Sequence, residues 1–157
     1  MTISENFDSE EFACSCGCGQ GAGWADEAVP ENLYDMDDRL IEGLQLLRDN
    51  TGVPVIIVSG ARCQTSNDAI PNSAPGSKHL ENLAADIAMP GWTMAMIYDE
   101  LIKIPQFNHG GIGIGHGIVH VDVSDERRWS YDCHGQQCDF IDPRGEDGIA
   151  STADDLA

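Results

Sequence analysis

"GGIGIGHGIVHVDVS", residues 110–124, alternates branched apolar residues with small or polar ones on both sides of a His-Gly pair. A period of two sends successive side chains to opposite faces of a strand. The stretch therefore predicts a β-hairpin that turns at His116–Gly117. In its second strand Val119, Val121 and Val123 share one face, and His120 and Asp122 share the other. The valines suit a core. A buried histidine and aspartate cost more than the apolar pair that would pack there, so their face needs a chemical purpose.

Working outward, "GSKHLENLAADIAM" (76–89) holds a second histidine and aspartate, His79 and Asp86. Its "LAADIAM" (83–89) predicts a strand in which small apolar neighbours surround Asp86. "VPVIIVSG" (53–60) predicts a buried strand ended by glycine. "ENLYDMDDRLIEGLQLLRDNTG" (31–52) repeats apolar residues at Leu33, Met36, Leu40, Leu44 and Leu47, which is helical spacing, and closes on Asn50 and Gly52. "GWTMAMIYDELIKI" (91–104) predicts a further amphipathic helix, and "SENFDSEEFAC" a short opening helix capped by Asp8 or Ser9. Residues 61–77 read as a long loop of the kind that usually serves function. The fold class is α+β, two or three helices on a small, mostly antiparallel sheet. One domain is expected over residues 1–141, with an acidic, flexible tail at 142–157.

Twenty-seven acids against eight bases give a net charge of −19 and an isoelectric point near 4.2. Such a surface repels nucleic acid and anionic lipid, and neither is expected as a partner. No apolar run reaches membrane-spanning length. The N-terminal "MTISENFDSEEF" lacks a basic segment and an apolar segment, so no secretory leader is read there. The expectation is synthesis in the cytoplasm and action outside it, after cell lysis or on a virus particle. The charge also predicts salt-dependent stability, because screening shortens from about 30 Å at 0.01 M to about 3 Å at 1 M. At pH 7 the Tm should rise as NaCl goes from low to molar concentration, and the rise should shrink near pH 4.5. A flat Tm would show that the carboxylates are too dispersed to repel.

Histidine and carboxylate are a natural ligand set for zinc with an open position. His79, Asp86 and His120 are the candidates, the ordinary alternative being three separately hydrogen-bonded polar residues. Here "SGARC" (59–63), "GSKHLENLAADI" (76–87) and "GGIGIGHGIVHVDV" (110–123) resemble the S-G-Y-R, S-x-H-x-x-G-x-A-x-D and G-G-I-G…H-V-D-V blocks of zinc D-Ala-D-Ala carboxypeptidases. Those enzymes are related to L-alanyl-D-glutamate endopeptidases of phage lysins and, more distantly, to the hedgehog signalling domain. "NFDSEEFACSCGCG" (6–19) also resembles the opening of small phage and bacterial members. The resemblance spans roughly residues 5–130.

The resemblance implies one catalytic zinc on His79, Asp86 and His120. It implies that Arg62 holds a substrate carboxylate or the oxyanion, and that Ser77 hydrogen-bonds the substrate, unless it caps the loop. It further implies cleavage of peptidoglycan stem peptides, as an endolysin or a virion-associated wall hydrolase with phage tail proteins as partners. The alternative is a non-catalytic, zinc-stabilised wall-binding or structural module. Departures from the pattern are Ala61 for its tyrosine, Asn82 for its glycine, and Gly115 and Ile118 at aromatic positions. Many relatives carry an acid three residues before the last ligand, where this chain has Gly117. Asp122 is then the candidate general base, with His116 second.

Six cysteines complete the reading: Cys14, Cys16, Cys18, Cys63, Cys133 and Cys138. Alternate residues of C-S-C-G-C bridge one another poorly, so three disulfides to distant partners are expected. The competing reading is a second, structural zinc held by several of these thiolates.

Overall fold

The computed structural model describes residues 2–23, 29–70, 76–131 and 137–145. A small hairpin, β1 (Thr2–Ser4) and β2 (Phe7–Asp8), opens the chain. The expected first helix is a single 3-10 turn, Ser9–Phe12, because Asp8 accepts from Glu10 N–H while Glu11 reaches back to Asp8 N–H. This reciprocal cap fixes one turn. Phe12 then drops fully into the core.

Helix α1 (Asp38–Thr51) begins later than its apolar spacing suggested, because Asp37 caps it through the Arg39 N–H and residues Glu31–Leu33 form a separate 3-10 turn. It ends where expected, on Gly52 at φ 69°. Leu40, Leu44 and Leu47 are completely buried. Strand β3 (Ile56–Ser59) follows, then α2 (Gln64–Ala69), β4 (Ala84–Ala88), α3 (Met94–Leu101), α4 (Pro105–Asn108), β5 (Gly111–Ile114), β6 (Val119–Asp122), β7 (Arg127–Tyr131) and β8 (Gln137–Cys138).

The main sheet runs in the order β3-β4-β6-β5-β7-β8. All its pairings are antiparallel except β5 with β7. This is the α+β class expected from the sequence. The β5–β6 hairpin turns through Gly117 at φ 84°, and one face of the sheet supplies Ala85, Ile87, Ile112, Ile114, Val119 and Val121 to a core shared with α1 and α3. Among the described residues no helix is long and apolar enough to cross a membrane.

Several expectations change. β3 stands at the edge of the sheet among the described residues and is not the buried strand expected: Ile56 and Val58 are 47% and 50% exposed. The loop expected over 61–77 contains α2, while residues 71–75 lie outside the described ones. β7 and β8 were not anticipated. β7 is held by Arg128, which donates to the Gly110 and Asn108 carbonyls at 2.8 and 2.9 Å and to the Tyr98 hydroxyl at 3.2 Å. Of the region expected to be a tail, Arg144 lies 4.9 Å over the Tyr98 ring and pairs with Asp142 and Asp99. Residues 146–157 lie outside the described ones.

Candidate metal centre

Strand register builds the site. Asp86 on β4 pairs with His120 on β6, His120 with Gly113 on β5, and Gly113 with Trp129 on β7. Directly opposed residues share a face, so these four form one row across the sheet, on the side away from the valines. His79 joins the row from the 3-10 turn Lys78–Glu81. Ser77 caps that turn by accepting from the His79 N–H at 3.3 Å, and Asn82 ends it in the left-handed conformation at φ 59°. Asparagine tolerates that conformation, and its side chain also donates to the Leu33 and Asp35 carbonyls at 2.8 and 2.9 Å.

His79 and His120 are buried, at 3% and 6% exposure, with rings 5.1 Å apart. Asp86 Oδ1 lies 3.3 Å from His79 Nε2 and 3.1 Å from His120 Nδ1. A tetrahedral zinc about 2.05 Å from nitrogen and oxygen ligands sets them about 3.3 Å apart. Asp86 Oδ1 therefore stands from both ring nitrogens at the separation one ion requires, and the three ligand groups lie within 4.8 Å of one another. Each imidazole is held by its other nitrogen: His79 Nδ1 by the Gly60 carbonyl at 2.7 Å, and His120 Nε2 by Asp122 Oδ2 at 2.8 Å. Such outer partners fix the tautomer and aim the ligating nitrogen.

This arrangement bears on the role expected of Asp122. It does share the His120 face, but its carboxylate is fully buried. Oδ1 accepts from Gly111 N–H, Ser124 N–H and Ser124 Oγ–H at 2.9, 3.1 and 2.6 Å. Its Oδ2 meets His120 Nε2 at 2.8 Å, on the opposite side of the ring from the Nδ1 that faces Asp86. Asp122 positions His120. Asp122→Asn should lower zinc affinity at the triad by about 10–100-fold, as second-partner losses do. Isothermal titration with zinc checks this, and unchanged affinity would contradict the positioning role.

Burial pulls the His120 pKa down, yet the hydrogen bonds and charges of Asp122 and Asp86 outweigh it and leave the imidazole above its ordinary 6.5. Burial likewise pushes Asp122 up, but His120 and Ser124 hold it down at about 2. The same opposition of burial to its two histidines leaves Asp86 below the usual carboxylate range. Zinc must displace the His120 proton, and a raised pKa keeps that proton bound to higher pH. Triad affinity should thus fall about tenfold per unit once pH drops below that pKa, with onset above pH 6.5. Affinity unchanged down to about pH 5 would contradict this.

The remaining expected residues are arranged as follows. Arg62 is half-buried after β3, with its N–H on the His79 carbonyl at 3.0 Å and Nη1 on Asn67 Oδ1 at 3.2 Å. Ser77 is committed to capping. His116 is exposed on the β5–β6 turn. The sequence reading missed Trp129 and Tyr131. Trp129 packs 5.0 Å from His120 and lies across Gly113, where a Cβ would come within 2.5 Å of the ring. Tyr131, two residues on, stacks edgewise on Trp129 at 6.2 Å, and burial raises its phenol pKa. Arg127 covers the Trp129 ring at 4.1 Å. The available signal was the alternation of "RRWSY" opposite the glycines of "GIGIG".

The expected disulfides are also corrected. Cys14, Cys16, Cys18, Cys63 and Cys138 are free, and Cys133 lies outside the described residues. Four of them converge on one point instead of pairing.

A family model described as Peptidase M15 matches residues 5–122, well over half of the chain. The chain belongs to that family. A search of the curated proteins gave no match.

Proposed function

We propose that this member of the peptidase M15 family is a zinc-dependent peptidase cutting peptidoglycan stem peptides at a bond involving a D-amino acid, as a D-Ala-D-Ala carboxypeptidase or an endopeptidase. One observation carries the reading: Asp86 Oδ1 stands at zinc-ligand separation from both His79 Nε2 and His120 Nδ1, with the outer nitrogens of both histidines held. A bound zinc would polarise the scissile carbonyl and activate water at neutral pH.

The chain's own residues divide the other tasks. In a protein this poor in bases, Arg39, Lys78, Lys103 and Arg144 are spent on ion pairs. Arg62 and Arg127 instead act electrostatically on Tyr131, beside Asp86. In this reading they receive a substrate carboxylate, which guanidinium binds as a planar fork. Tyr131, whose phenol is protonated at neutral pH and whose pKa burial raises further, is the candidate donor for the oxyanion. With Asp122 engaged behind His120, the proton falls to His116 on the adjacent turn. Gly115 and the 39% exposed Ile118 leave that end of the face open to a peptide. The setting we propose is a phage endolysin or virion-associated wall hydrolase, which the substrate class supports.

A second reading, a zinc-bound wall-binding module without turnover, is favoured by Gly117 standing where relatives carry an acid. Release of a D-amino acid or a shorter peptide from a synthetic stem pentapeptide decides between the two. The enzyme reading expects release that stops on chelation and returns with zinc. Full zinc occupancy without release supports the module.

A further inference from the structure

Cys14, Cys16 and Cys18 project from one loop, and Cys63 comes from the distant segment that follows β3. Their four sulfurs all lie within 4.8 Å of one another, with Cys14–Cys16 and Cys16–Cys63 at 3.5 Å. Four sulfurs about 2.3 Å from a tetrahedral zinc stand about 3.8 Å apart. A disulfide would need two of them at about 2.05 Å. The spacing therefore matches an ion at the centre and no pair. The loop is shaped for convergence: Gly17 and Gly19 adopt φ 84° and 86°, and the Cys14 N–H closes on the Gln20 carbonyl at 3.0 Å. A Cβ at Gly17 would meet nothing, so its glycine serves the backbone conformation alone. The Cys63 N–H donates to Cys14 Sγ at 3.3 Å, which suits a sulfur carrying negative charge.

The geometry points to a second, structural zinc site of four thiolates on Cys14, Cys16, Cys18 and Cys63, separate from the triad. Its position gives it a task. The Cys63 segment also holds Gly60, whose carbonyl orients His79, and Arg62. Gly60 packs so closely on Phe12 that a Cβ would lie 2.6 Å from its backbone, and Ala61 N–H donates to the Phe12 carbonyl at 2.8 Å. Buried Gln20 continues the tie, donating to the Arg62 and Leu80 carbonyls at 3.3 and 3.2 Å. The ion clamps residues 12–20 onto residues 60–63 and so holds in place the group that aims His79.

Cobalt and zinc loading of the whole chain tests this. The unmodified protein should bind two zinc ions, and cobalt should give the intense near-ultraviolet sulfur-to-metal band of a thiolate site. That band should persist in His120→Ala, which keeps one zinc, and vanish in Cys16→Ser. Cys18→Ser, which likewise leaves three of the four thiols, is the second variant should Cys16→Ser fail to fold, and the same loss of the band is expected. Cysteine alkylation in unmodified protein should be blocked by zinc and restored by chelator. Zinc affinity at the triad should also weaken about tenfold or more in either cysteine variant, the scale of lost outer support. A single zinc on the unmodified protein, no thiolate band, or non-reducing masses showing these cysteines oxidised in pairs would overturn the proposal. Bound iron in place of zinc would overturn the choice of metal. The thiolate band does not depend on peptidase activity, so failure here and failure of the peptidase reading are separable.

Discussion

His120→Ala should abolish stem-peptide hydrolysis and remove the zinc of the triad while leaving the chain folded. His120 supplies Nδ1 to the centre, and the other described imidazole beside Asp86, that of His79, is itself one of the three candidate ligands. Metal polarisation is worth several kcal/mol of transition-state charge, and at 1.36 kcal/mol per decade about 4 kcal/mol is roughly a thousandfold in turnover. The substitution also strips Asp122 Oδ2 of its partner at 2.8 Å. That buried carboxylate would cost about 1–3 kcal/mol. Circular dichroism and Tm must therefore accompany the assay, so that lost activity is read on folded protein. A folded variant with full zinc stoichiometry and unchanged turnover would remove His120 from the ligand set.

Gly111→Ala should be the most damaging small substitution in the sheet. A Cβ there would lie 2.3 Å from Asp122 Oδ2 and 2.7 Å from Oδ1. The carboxylate cannot retreat, because Gly111 N–H, Ser124 and His120 all hold it. Overlap of that size against fixed polar atoms should cost about 3 kcal/mol. At about 2–4 °C per kcal/mol for a chain of this size, Tm should fall by roughly 10 °C. Gly117→Ala is the control. Its φ of 84° makes alanine strained, but a Cβ there meets nothing within 4 Å, so the loss should be about 1–2 kcal/mol. Equal Tm values for the two variants would mean that Asp122 is free to move, contrary to its positioning role.

The parts of this fold legible in the sequence were those governed by local periodicity. The alternation in residues 110–124 gives the hairpin, its turn and the shared face of His120 and Asp122, all of which stand in the structure. The spacing of leucines 40, 44 and 47 gives the buried side of α1. What escaped depends on distance. β7 pairs in parallel with β5, and nothing within "RRWSY" announces a partner sixteen residues earlier. β3 is as apolar as a central strand, yet it lies at the sheet edge, a fact of topology. "QTSNDA" forms α2 without any apolar period to reveal it.

The site divides the same way. Spacing brings Asp122 to the His120 face but cannot say which ring nitrogen it meets, and that nitrogen decides between base and positioning group. Likewise C-S-C-G-C leaves pairing and metal binding open until Cys63 is seen beside Cys14, Cys16 and Cys18, with all four sulfurs within 4.8 Å of one another.

The central claim is that the triad performs zinc-dependent cleavage of wall peptides, and one measurement meets it directly. Purified muropeptides are incubated with zinc-loaded protein and the products identified by mass spectrometry, with His120→Ala run in parallel. The account expects stem peptides shortened at one bond involving a D-amino acid, and none in the variant. Intact muropeptides after incubation with folded, fully zinc-loaded protein would contradict it.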